Sequence, residues 1–228
     1  SAFVQNRGSS VNPERQEGPH AHFIQTTLDN QFAIVADLGL DKLFMHRFDA
    51  DTGSLSPGSP GFVSLEPGSG PRHVAFAPSG RFVYAVNELT STVTLFEYKS
   101  DAGMLHSLQT ISTLPEDYAG ANSTAEIEVD AKGRTLYVSN RGHDSIAVFR
   151  IDPDDGSLQS LEWVPTGGKM PRHFVIDPTG QWLLAANQAS NTINLLQIDS
   201  ESGQLTATDR SVNVVSPVCL RFLPLSGD

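Results

Sequence analysis

The sequence predicts an all-β protein, a β-propeller of four-stranded antiparallel blades. Three observations predict it. A unit of strand, tight turn, strand, loop, strand, tight turn, strand returns every 47 to 53 residues. Alternation of apolar and polar residues, rich in β-branched and aromatic side chains, runs through each unit. No stretch holds a helical apolar period over ten residues. Four antiparallel strands in roughly 40–50 residues is the arithmetic of a propeller blade.

The elements follow in order. "FIQTTLDNQFAIVADL", "VAFAPSGRFVYAVNEL", "IEVDAKGRTLYVSNRG" and "FVIDPTGQWLLAANQA" align on Asn30, Gly80, Gly133 and Gly180, residues that tolerate the positive φ of a tight hairpin. Each is followed by a second hairpin signal, "KLFMHRFDADTGSL", "TVTLFEYKSDAGML", "SIAVFRIDPDDGSL" and "TINLLQIDSESGQL". The expected repeats are approximately 20–70, 71–122, 123–170 and 171–216 of one propeller domain over 1–228, with 217–228 starting a further unit. About four blades are complete, with partial strands at the ends. "SAFVQ" reads as the outer strand of a preceding blade and "NRGSSVNPERQEGP" as a long loop over one mouth. Neither a WD nor a kelch signature is present.

Composition narrows the function. The 228 residues carry a formal net charge of −11 and 18% charged residues. Such a field repels nucleic acid and anionic membranes, so neither is an expected partner. No run of eighteen apolar residues is available for a membrane helix. The beginning shows neither a signal peptide nor a targeting pattern, and a cytoplasmic location is expected, although the start does not look natural. The single cysteine, Cys219, excludes an internal disulfide framework and reads as a buried strand thiol in "SPVCLRFLP".

Antiparallel pairing makes the residue beginning the first strand of a blade a neighbour of the residue ending the second. The leading column reads His22, Arg72, Ala125, Arg172, Val218; the trailing one reads Asp37-Leu38, Asn87-Glu88, Asn140-Arg141, Asn187-Gln188. His22, Arg72, Glu88, Arg141 and Arg172 are expected to converge at one mouth. Glu88 follows an apolar strand and stands beside arginines, the setting of an acid/base carboxylate. Arg72 and Arg172 read as functional groups or as ion-pair partners between blades. His73 and His173 read as packed histidines ahead of catalytic ones. Asn87, Asn140 and Asn187 repeat so closely that they read as turn residues bonding their own backbone. A calcium site using Asp37, Asn87, Glu88, Asn140 and Asn187 is the weakest alternative, since arginines repel a cation.

At "GPHAH", "GSGPRHVAFAPSGRFVYAVNELTSTV", "YVSNRGHDSIAVF", "PRHFVIDPTGQWLLAANQ" and "SPVCLRF" the sequence resembles the seven-bladed propeller lactonases. That family contains bacterial 6-phosphogluconolactonases and fungal 3-carboxymuconate lactonizing enzymes. The resemblance implies a ring of seven blades, no required metal or cofactor, and a His, Arg and Glu cluster at one mouth. Carried over, the catalytic set is Glu88, Arg72, Arg172 and His22, with His20 the alternative histidine. Arg141, His20, His73 and His173 are the expected substrate-binding residues, and Arg141 competes with Arg172 as the second arginine. The resemblance implies a lactonase acting on a small anionic lactone, or a cyclase acting on a carboxylate. A propeller that only binds a metabolite or protein is the reading from another class. Seven blades need about 350 residues, so the sequence looks like the C-terminal two-thirds of a member. Its open apolar blade faces are expected to pair with N-terminal blades or with another copy.

Overall fold

The computed structural model describes residues 3–223, of which none is helical. Sixteen strands form four sheets, each a four-stranded antiparallel meander in chain order. The first sheet contains β1 (Ala21–Thr26), β2 (Phe32–Asp37), β3 (Lys42–Asp49) and β4 (Ser54–Ser64). The second contains β5 (Pro71–Phe76), β6 (Phe82–Asn87), β7 (Thr92–Lys99) and β8 (Met104–Ser112). The third contains β9 (Ser123–Val129), β10 (Thr135–Arg141), β11 (Ser145–Ile151) and β12 (Leu158–Pro165). The fourth contains β13 (Pro171–Ile176), β14 (Trp182–Asn187), β15 (Thr192–Ile198) and β16 (Leu205–Asn213).

The repeated turn residues do what their positions require. Asn30, Gly80, Gly133 and Gly180 have φ of 57°, 72°, 70° and 70°, the left-handed region where a Cβ is costly. The turn between the second and third strands repeats too. Asp41, Ser91, Asp144 and Asn191 all have φ between 52° and 58°. None of these four left-handed positions is a glycine, and Gly39 and Gly142 stand elsewhere in only two of the turns, so the sequence reads there only as a loop.

The chain divides into two compact units. The first is Ser1–Thr113 with Asp152–Leu158. Its core lies between the first two sheets, where Ile34, Leu43 and Met45 meet Val74, Val83 and Phe96. The second unit is Leu114–Ile151 with Gln159–Asp228. There Tyr137, Ile146 and Val148 of the third sheet pack with Phe174, Leu183 and Leu196 of the fourth. The hydroxyl of fully buried Tyr137 donates to the Gly203 carbonyl at 2.7 Å, so the polar tip is satisfied inside the core.

Both ends of the chain correct the sequence reading. Phe3, Val4 and Gln5 form no strand; the rest of that stretch, Ser1 and Ala2, lies outside the described residues. Residues 217–223 form no strand either, and Cys219 is exposed rather than buried. A strand persists only where a neighbour completes its ladder, and neither end has one among the described residues. The remainder of the expected further unit, 224–228, lies outside the described residues.

Candidate active site

The leading-column residues of the four sheets, His22, Arg72, Ala125 and Arg172, each stand at a β-bulge; Val218 lies outside any strand. In the second sheet Pro71 pairs with Asn87 and His73 with Val86, which leaves Arg72 as the extra residue. The same shift isolates His22 between Ala21 and Phe23, and Arg172 between Pro171 and His173. In the third sheet Ala125 and Glu126 together oppose Ser139. A bulge turns a side chain out of the regular alternation, so the column is a set of re-aimed positions.

In the first unit, Arg72 and Glu88 are both buried, at 3% and 5% exposure. Arg72 Nε lies 2.9 Å from Glu88 Oε2. The Glu88 backbone N–H donates to the Gly70 carbonyl at 2.8 Å, which docks the carboxylate beside the residue two before the arginine. Gly70 has a φ of 63°, and a Cβ there would fall 2.6 Å from Leu89 Cγ; glycine is what permits this approach. On its other flank, Arg72 Nη1 lies 3.3 Å from His73 Nε2. Guanidinium only donates, so the Nε2 lone pair of His73 is the acceptor this contact calls for. The ring of exposed His22 packs on His73 with centroids 5.1 Å apart. His20 goes elsewhere: its Nε2 meets Glu17 Oε1 at 3.0 Å. The structure therefore assembles His22, His73, Arg72 and Glu88 and leaves His20 aside.

Sequence reasoning missed one member of this group. Arg15, in the loop between residues 6 and 19, donates through Nη2 to Glu88 Oε1 at 2.5 Å. The loop was legible as a cover, but nothing in "NPERQEG" marks which of its charges reaches inward. Asp41 holds it in place by accepting from Ser10 Oγ and Gln16 Nε2, and also from the Gly68 and Gly70 backbone.

In the second unit the same columns carry different pairings. His173 Nε2 lies 3.0 Å from Glu126 Oε2, with both side chains buried. Glu126 occupies the position that His73 and His173 hold in their repeats, a replacement that repeat alignment could have flagged. Arg141 is buried and donates to the Thr124 carbonyl at 2.7 Å. Arg172 is half-buried and makes no ion pair among the described residues. Glu128, two residues beyond Glu126, accepts from the Ile176 N–H at 3.0 Å. Burial pushes its carboxyl up to about 7, with the Glu126 charge adding to the rise; the Ile176 bond and Arg221 oppose it.

The asparagines are corrected in their partners. All three are fully buried at strand ends. Asn87 donates to Thr92 and Thr94 hydroxyls, Asn140 accepts from Asn122, and Asn187 is held by Thr166 and Asn194. Their side chains join the strand ends to neighbouring strands and loops, and Asn187 Nδ2 also donates to the Thr166 backbone carbonyl at 3.3 Å. Asp37 accepts from Asn6, His20 N–H and Gly39 N–H. Oxygens turned toward N–H donors do not suit calcium, and among the described residues no three His, Cys, Asp or Glu side chains gather to hold a metal.

Residues 1–222 match the family described as Lactonase, 7-bladed beta-propeller. The chain belongs to the seven-bladed β-propeller lactonase family. The chain is 40% identical over 210 residues to the 6-phosphogluconolactonase of Bacillus subtilis strain 168, a match that covers 92% of the chain and 59% of that relative. It superposes on a crystal structure of a Lactobacillus plantarum protein with a TM-score of 0.93 at 36% identity, covering 98% of this chain and 64% of the other. The Pseudomonas aeruginosa periplasmic gluconolactonase PpgL gives a TM-score of 0.90 at 36% identity, covering 96% and 61%. The chain thus spans less than two thirds of the length of these relatives.

Proposed function

We propose that the protein hydrolyses a sugar-acid lactone, 6-phosphogluconolactone or a close analogue, by direct attack of water. The observation that carries this reading is the Arg72–Glu88 pair, buried at a bulge with His73 and His22 alongside. Glu88 takes a proton from water as the water oxygen bonds to the lactone carbonyl carbon. Negative charge moves onto the carbonyl oxygen, where the Arg72 guanidinium stabilises it. The ring C–O bond then breaks, and His22 gives a proton to the departing alkoxide. The product is the open-chain acid, and solvent returns the protons to their starting groups. The relatives support this class, since one is named a 6-phosphogluconolactonase and another a gluconolactonase.

Glu88→Gln in the full-length chain tests it. The amide cannot accept the proton, and kcat on 6-phosphogluconolactone is expected to fall by about 10²–10⁴. Unchanged hydrolysis overturns the mechanism. Turnover of a carboxymuconate without lactone hydrolysis transfers the site to cyclase chemistry, and binding without turnover of either transfers it to a receptor role.

A further inference from the structure

Glu88 is a general base with both oxygens engaged: Oε2 faces Arg72 and Oε1 accepts from Arg15. A base in that state has no oxygen open to water. The two cations differ in one respect. Arg72 is 3% exposed, whereas the Arg15 side chain is 47% exposed. One arginine is fixed and the other is half in solvent.

The backbone under Arg15 is firmly seated. The next residue, Gln16, is fully buried and donates to the Leu38 carbonyl at 2.9 Å and to Asp41 Oδ1 at 2.8 Å. The Arg15 N–H donates to Asn12, and the Ser10 N–H donates to the Gln16 carbonyl. Arg15 is therefore a long, flexible, charged arm on a rigid pivot, its tip on the catalytic carboxylate. The guanidinium fork suits a phosphate as well as a carboxylate, and a dianionic phosphate attracts it more strongly than a single carboxylate.

We propose that Arg15 is the specificity arm for phosphorylated lactones. When such a substrate binds, the Arg15 guanidinium leaves Glu88 for the phosphate. Glu88 Oε1 is thereby released to take the proton from water. Anion recognition and activation of the base are one movement. This inference rests on the lactonase reading of the site and adds to it the group that recognises the charge.

The test compares 6-phosphogluconolactone with unphosphorylated gluconolactone in the full-length chain and in Arg15→Gln and Arg15→Lys variants of matched thermal stability. The ratio of kcat/KM for the phosphorylated over the neutral lactone is expected to fall about 10- to 100-fold in Arg15→Gln. Arg15→Lys keeps the charge without the fork and is expected to fall between. An unchanged ratio, or an equal loss on both lactones, overturns the proposal. If the parent protein hydrolyses neither lactone, the lactonase reading fails, and calorimetric binding of gluconate 6-phosphate against gluconate decides the arm by itself. Loss of the phosphate preference in Arg15→Gln then supports it, and the same preference in both proteins overturns it.

Discussion

Pro71-Arg72-His73 and Pro171-Arg172-His173 are the same tripeptide at the same bulge, each opening the first strand of its sheet. Their side chains meet opposite fates. In the first copy the arginine is the buried, paired member: Arg72 faces Glu88, and His73 is half-buried beside it. In the second copy the histidine is the buried, paired member: His173 faces Glu126, and Arg172 is half-buried. The motif supplies two candidate partners and the position of the carboxylate selects one. Glu88 immediately follows the second strand of its own sheet, where the fourth sheet has Gln188; Glu126 comes from the strand β9 of the third sheet. A repeated motif thus carries geometry, and its chemistry is assigned by neighbours that do not repeat.

The sharpest way to break this comparison is to neutralise both arginines in turn. Arg72→Gln leaves a buried carboxylate short of a cation and is expected to destabilise by about 3–5 kcal/mol. Arg172→Gln is expected to change stability by no more than about 0.5 kcal/mol. Denaturant unfolding of both variants reads the difference, and equal losses would erase the distinction between the two copies.

The histidines should reverse that order. His173→Ala removes the buried partner of Glu126 and is expected to cost about 2–3 kcal/mol. His73→Ala is expected to cost about 1 kcal/mol or less, because the ring is half-buried. Thermal melts of the two variants, set beside the arginine pair, test whether burial and pairing exchange between the copies.

The smallest expected effect is in pH, and it belongs to the second unit alone. The Glu128 carboxyl is pushed up to about 7 in the fold from the usual 4.5. The folded state therefore holds this proton more tightly than the unfolded chain does. Its contribution to stability is complete below about 4.5 and is lost as pH rises through about 7. Raising pH from 5 to 8 is expected to remove about 1–2 kcal/mol by this group, less than the full shift implies because the carboxylate is partly reached by water. Glu128→Gln should flatten that part of the stability profile; a variant with the wild-type slope would assign the dependence to other groups.

Much of the candidate site was legible in the sequence. Period-two alternation and four coincident turn residues give the blades, and strand pairing alone brings Arg72 beside Glu88. Two pairings were not legible for a common reason. Arg15 reaches Glu88 across 73 residues of separation, and Glu126 meets His173 from another sheet. No periodicity links such positions, since each contact comes from packing between elements rather than from the register within one. The exposed Cys219 failed for the converse reason: its local pattern was that of a strand, but strand formation needs a neighbouring ladder.

The amino-acid sequence by itself determined the all-β architecture, the four-strand unit, the positive-φ turns and the two columns of candidate residues. Those properties are local, set by alternation, by glycine and asparagine backbone freedom, and by antiparallel pairing of adjacent strands. Tertiary structure alone decided which ionisable groups became pairs. It placed Arg72 at a bulge facing Glu88, held the Arg15 loop through Asp41, and gave His173 to Glu126. Burial makes those choices consequential, because a charge removed from water must find an opposite charge or a hydrogen-bond donor, and only the packed fold determines which one lies within reach.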